Sequence, residues 1–161
     1  MKAVAVDLDS ALGDTRPLWH EFLTDAARRY ASIAPLDVES LPSDRGEAAA
    51  ALDEWASHGV GDWRSALARF AEERAPVFLR PNAEANAALR TLAAAGCKVG
   101  VFTDAPEELA RVALAQLGVV RRAQVLETGT SARDRLLERL GRDVGIAASR
   151  DELVRLARGP G

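Results

Sequence analysis

Apolar residues follow two different periods along this chain. Four short runs are nearly continuous: 3–7 (Ala-Val-Ala-Val-Asp), 97–103 (Cys-Lys-Val-Gly-Val-Phe-Thr), 123–127 (Ala-Gln-Val-Leu-Glu) and, more weakly, 144–148 (Val-Gly-Ile-Ala-Ala). Unbroken apolar runs of this length suit parallel strands covered on both faces. Elsewhere the period is helical. Residues 83–95 carry Leu89 and Leu92 on an alanine-rich stripe, with Asn82 as N-cap and Gly96 as the stop. Residues 106–117 place Leu109, Val112, Ala113 and Leu117 near helical spacing before Gly118. Asp104 is positioned to cap that helix, Glu107 gives a capping-box-like pattern, and Pro106 fits the first turn. Leu136, Leu137 and Leu140 predict a helix over 132–140, and Ser149 precedes one over 150–158. This alternation predicts βαβ units with right-handed crossovers: an α/β fold on a short parallel sheet of about four strands.

The stretch 16–80 breaks the alternation. Trp19, Leu23, Ala26 and Tyr30 share one helical face, and Trp63, Ala66, Leu67, Phe70 and Ala71 share another. Pro35, Pro42 and Gly46 interrupt the chain before a third helix around 47–57. Three helices are thus expected between the first strand and the rest of the sheet, with the tryptophans in their core. His20 and His58 have no partner at metal or triad spacing, and the default for each is a partly buried structural histidine.

Composition narrows the function. The chain has 161 residues, 48% hydrophobic and 28% charged, enough for one domain with a small inserted subdomain. A net charge of -3 lacks the basic stripe of a nucleic-acid binder. No run approaches the roughly 20 apolar residues of a membrane span. The first residues are too short an apolar stretch for a secretory leader. A cytoplasmic monomer or homodimer acting on a small molecule is expected. The single Cys97 permits no intrachain disulfide and no thiolate zinc site, and reads as a small buried hydrophobe.

The chemistry concentrates at two strand ends. Asp7 and Asp9 leave the first strand together, at the carboxyl edge where open α/β sheets bind ligands. One carboxylate there can attack while its neighbour moves protons, and paired hard oxygens suit Mg²⁺. Thr103 and Asp104 end the second strand, where the hydroxyl and the following helix N-terminus can hold phosphate oxygens. Glu127 closes the third run near the same edge, where a surface position is the default.

Val4-Ala5-Val6-Asp7-Leu8-Asp9-Ser10-Ala11-Leu12-Gly13-Asp14-Thr15 resembles the first motif of the haloacid dehalogenase (HAD) superfamily, and Val99-Gly100-Val101-Phe102-Thr103-Asp104 resembles the second. The roughly 90 residues between them match the family's inserted helical cap in place and length. The resemblance implies a Rossmannoid core over 1–15 and 81–161 with a cap over 16–80, and Mg²⁺-dependent hydrolysis of a small phosphate ester. Asp7 would form an aspartyl-phosphate and Asp9 would serve as acid and base. Thr103, with Asp104 and Ser10 beside it, would hold the phosphoryl group, and the Asp7 carboxylate and Asp9 carbonyl would bind Mg²⁺.

Several family features are replaced. Ser10-Ala11 stands where the family has Gly-Thr. No lysine follows the third run, leaving Arg133 or Arg135 as substitute cations, although a solvated helix face is their better reading. The fourth motif's aspartates are represented only by Asp151, a weak metal ligand inside a Ser149–Glu152 capping box. Three alternatives stay open. The chain is a degenerate relative kept as a binding or regulatory module, a dehalogenase-like hydrolase attacking carbon through Asp7, or a flavodoxin-like domain outside the family.

Overall fold

The computed structural model describes residues 1–159. Four parallel strands, β1 (Ala3–Asp7), β2 (Lys98–Thr103), β3 (Val125–Thr128) and β4 (Val144–Ala147), form one sheet in the order β3-β2-β1-β4. Successive strands step outward from β1 on one side, then return to its other side. The order therefore reverses at β1, and the carboxyl end of β1 is the crevice where such sheets take ligands.

Among the described residues six α-helices lie between the strands and a seventh follows β4: α1 (Arg16–Arg29), α2 (Arg45–Ala56), α3 (Trp63–Phe78), α4 (Ala83–Ala94), α5 (Glu107–Leu117), α6 (Ala132–Leu140) and α7 (Arg150–Arg158). The α/β class and the parallel sheet flanked by helices are as the apolar pattern predicts. Val4, Val6, Val99 and Val101 point to the larger cluster, while Ala5 and Phe102 point to a smaller one with Val125 and Leu136. The two faces follow from the alternation of side chains along a strand. Gly100 has a packing reason, since a Cβ there would lie 2.6 Å from Leu136 Cδ1 of α6.

The boundaries and two roles differ from the sequence reading. β2 begins at Lys98 with Cys97 just before it, buried, and β3 is displaced to Val125–Thr128. α2 begins at Arg45, so Gly46 lies inside the helix instead of ahead of it. Asp104 does not cap α5. Pro106 occupies that N-cap with no side-chain bond, because the Asp104 carboxylate is engaged by Arg45. His20 and His58 are exposed, not partly buried.

The α1–α3 insertion is densely packed. Trp19, Trp63 and Phe22 meet with ring centroids 6.3–6.4 Å apart. Trp55 donates its indole N–H to the Ala34 carbonyl. Hydrophobic contact runs without interruption from the sheet's valines through α4 and α5 into this aromatic group, and α3 packs along α5. No helix among the described residues is long and apolar enough to cross a membrane.

Candidate active site

After β1 the chain makes one π-helical turn, Leu8–Leu12, with Leu8, Ala11 and Leu12 buried beneath it. The Asp7 carboxylate caps this turn by accepting from the Asp9 amide (3.1 Å). On the β4 side, Arg150 donates through Nε to the Ala11 carbonyl and through Nη2 to that of Leu12, both at 3.2 Å. The turn bearing both aspartates is thus anchored from beneath by apolar burial and from the side by a guanidinium.

The two aspartates are in unequal positions. Both Asp9 oxygens are engaged: Oδ1 accepts from the Thr15 amide (2.9 Å) and hydroxyl (2.5 Å), and Oδ2 accepts from Thr103 Oγ1 (2.8 Å) and Arg45 Nη2 (2.7 Å). Asp7 is half-buried, with its hydrogen bonds coming from its own turn. Burial and, second, the neighbouring Asp9 charge push the Asp7 carboxyl above its ordinary value, opposed by hydrogen bonds from Asp9 and Ser10.

Arg45 organises the cluster. Its side chain is 4% exposed, yet it stands on the first residue of α2, far from Asp9 in sequence. Nε donates to Asp104 Oδ1 (2.8 Å), Nη1 to Thr15 Oγ1 (2.7 Å), and Nη2 to Asp9 Oδ2 and Thr103 Oγ1 (3.3 Å). Its backbone N–H donates to Asp104 Oδ2 (3.1 Å). A planar fork with five donors can satisfy four groups at once, which a compact ammonium cannot.

Two neighbours of Arg45 in the chain hold α2 in place. Asp44 caps the helix through the Glu47 amide and accepts from Thr130 Oγ1 (2.7 Å), and the latter bond holds its carboxyl below the ordinary value. Gly46 lies against the loop after β3, where a Cβ would stand 2.2 Å from the Thr130 amide nitrogen. Only a residue without a Cβ lets α2 approach this closely. A cavity of about 410 Å³ opens beside the cluster, between α1 and the segment 38–45, walled by Trp19, Leu23, Val38 and Leu41 and floored by Arg45 and Asp104.

The structure thus brings Asp7, Asp9, Thr103 and Asp104 together, with Ser10 exposed on the same turn. Arg133 is exposed on α6 and Asp151 is exposed in the first turn of α7, and among the described residues neither bonds to the cluster. Arg135 and Arg139 pair with Glu127, and Arg135 also donates to the Thr128 and Thr130 carbonyls, so these cations serve the end of β3. Ser149 and Glu152 cap α7, with Glu152 accepting from the Ala148 amide (2.7 Å). Sequence reasoning missed Arg45 and Arg150. The available signal for Arg45 was Asp44 with Glu47, a capping pattern that starts a helix at residue 45.

Residues 1–150 match the family model described as haloacid dehalogenase-like hydrolase. The chain belongs to the HAD-like hydrolases. Among solved structures it is similar to a protein of Thermotoga maritima described as a beta-phosphoglucomutase. Identity is 21%, the TM-score is 0.54, and the match covers 98% of this chain and 82% of that one, a likeness of fold. No curated protein matches. The match excludes the flavodoxin-like alternative outside the family.

Members of this family generally use Mg²⁺. The residues present here supply only part of such a site. Mg²⁺ takes several hard oxygens in octahedral geometry. The Asp7 carboxylate and the Asp9 carbonyl are present at the end of β1, whereas the Asp9 and Asp104 side chains are engaged by Thr15, Thr103 and Arg45, and β4 ends in Ala147-Ala148-Ser149 with a guanidinium following. Among the described residues no three acidic, histidine or cysteine side chains group to hold a metal.

Proposed function

We propose that this protein hydrolyses a small phosphate monoester, with Asp7 as the nucleophile. The observation carrying this reading is the asymmetry of the two aspartates: Asp9 is saturated by four donors, while Asp7 keeps a carboxylate that no cation neutralises, at the reversal point of the sheet. An Asp7 oxygen attacks phosphorus as the bond to the leaving oxygen breaks. Water then attacks the phosphorus of the acyl phosphate, releasing inorganic phosphate and restoring the carboxylate. The Thr103 hydroxyl and the Arg45 guanidinium are the donors placed to bind phosphoryl oxygens, and such positioned charge supplies most of the catalysis in phosphoryl transfer. Once the incoming phosphate takes Arg45 from it, Asp9 takes up a proton, gives it to the leaving oxygen, and as the carboxylate then takes a proton from the attacking water. The α1–α3 insertion serves as the cap, its cavity receiving the leaving group, as the family match and the likeness to a beta-phosphoglucomutase support.

The test is to trap the intermediate. The protein is mixed with p-nitrophenyl phosphate and a panel of sugar phosphates, acid-quenched, reduced with borohydride and digested. Conversion of residue 7 to homoserine, absent in Asp7→Asn, is the expected result. Turnover without that product, or turnover that survives Asp7→Asn, defeats the mechanism. The engagement of Asp9 by Arg45 favours a second reading, a binding module. Phosphate that binds saturably with no turnover of any ester selects it.

A further inference from the structure

The geometry points to an uncharged alkyl or aryl alcohol as the leaving group, so that the ester is an aliphatic or aromatic monophosphate and not a sugar phosphate. The inference rests on the hydrolytic reading above and adds what the cavity selects. The cavity beside the cluster, about 410 Å³, has the size of a small-molecule site. Arg45 belongs both to its floor and to the cluster with Thr103, so a phosphate held by those two donors adjoins the cavity. Asp7 is absent from the cavity's walls. In-line displacement sends the leaving group to the side away from the nucleophile, which suits a cavity that Asp7 does not line.

The walls are apolar on both sides. Trp19 and Leu23 of α1 line one, buried in the core behind them, and Val38, Leu41 and Pro42 line the other. Val38 and Leu41 are only partly buried and Pro42 is exposed. Apolar surface left in water along one short segment is surface that the apolar part of a ligand can cover. The polar side chains of the cavity are engaged elsewhere or turned to water. Arg45 bonds to Asp104 at 2.8 Å, and Arg16 is held by Asp14 through two bonds of 2.8 and 2.9 Å, so each guanidinium already has a carboxylate. His20, Glu39 and Ser43 are exposed. A sugar would bring several hydroxyls against Trp19, Leu23, Val38 and Leu41, where each loses water without gaining a partner.

Phosphonates, which are not hydrolysed, test the cavity without turnover. Methyl-, butyl- and hexylphosphonate are titrated into the wild-type protein, with the Val38 and Leu41 methyl resonances as readout. Affinity should rise by up to about fourfold per methylene buried, and by at least about tenfold from the methyl to the hexyl compound, with both residues' methyls shifting. Leu41→Asn should shrink that hexyl-to-methyl ratio. Equal affinity along the series, or no binding of any member, overturns the inference. So does a rise whose shifts miss Val38 and Leu41. If Leu41→Asn does not fold, the wild-type series decides. Turnover gives the second readout. Hexyl phosphate and glucose 6-phosphate both release a primary alcohol, so their intrinsic reactivities are matched, and kcat/KM should favour the hexyl ester by at least about tenfold. The reverse order overturns the inference and leaves the hydrolytic reading standing. If no ester is turned over, the hydrolytic reading falls, and the phosphonate series alone decides what the cavity takes.

Discussion

At the β1–β2 half of the sheet's carboxyl edge, Asp9, Thr103 and Asp104 gather around one buried guanidinium, with Asp7 on the adjoining turn. At the β3 and β4 ends the same kinds of side chain do structural work. Glu127 pairs with Arg135 and Arg139 on the surface of α6, Glu152 and Ser149 cap α7, and Arg150 ties down the π-turn. The difference lies in burial. In the first half the cation and its partner Asp9 are desolvated, with side chains 4% and 9% exposed, so that contact is strong and its loss leaves a charge behind. In the second half Arg135 and Arg139 are 44% and 55% exposed, and water replaces a partner removed from them. Residue type alone therefore says little about which half of the edge does chemistry.

The comparison breaks most readily at Arg45. Arg45→Ala should destabilise the fold by about 3–5 kcal/mol, because Asp9 is left buried without its cation, with the urea midpoint as readout. A loss below about 1 kcal/mol, the range of exposed pairs, would make the two halves equivalent. Next comes Gly46→Ala. The new methyl meets backbone at Thr130 rather than a yielding side chain, so α2 must move, at a cost of about 1–3 kcal/mol, and phosphate affinity should fall with it. An unchanged phosphate affinity would mean that α2 does not position Arg45.

A smaller effect of opposite sign is expected at Asp7. Its carboxyl is raised in the folded protein by burial and by Asp9, so the folded state holds the proton more tightly than the unfolded chain does. Ionising it costs stability. The penalty is absent below the unfolded value of about 3.9 and develops fully as pH rises past the folded value. Asp7→Asn should therefore raise the melting temperature at neutral pH, with the gain fading in acid. Any turnover should rise with pH as Asp7 ionises, over a range above that of an ordinary aspartate. A variant that melts lower at neutral pH would contradict the assigned cause. The smallest effect belongs to the other half: Glu127→Gln should cost about 1 kcal/mol or less and leave phosphate binding unaltered.

Much of this architecture was legible in the one-dimensional pattern. β1 matched its apolar run residue for residue, and α6 and α7 matched their leucine periods, because those features are set within a few residues of one another. The Asp7–Asp9 pair was legible for the same reason. Asp104 was misread as a helix cap because the competing partner, Arg45, lies 59 residues earlier and no local rule refers to it. Gly46 read as a chain breaker because its role depends on the Thr130 backbone, which the fold brings against it.

The sequence by itself determined the α/β class, the parallel sheet, the helical insertion after β1 and the two aspartates at the strand end. Each of these follows from periodicity, turn chemistry or adjacency, which act over a few residues. Only the tertiary structure decided which aspartate is neutralised and which stays free, and which of the 19 arginines is buried in the site. That choice rests on where α2 docks, and docking is a matter of distance through space. A guanidinium becomes a strong, specific partner only where packing has removed the water around it.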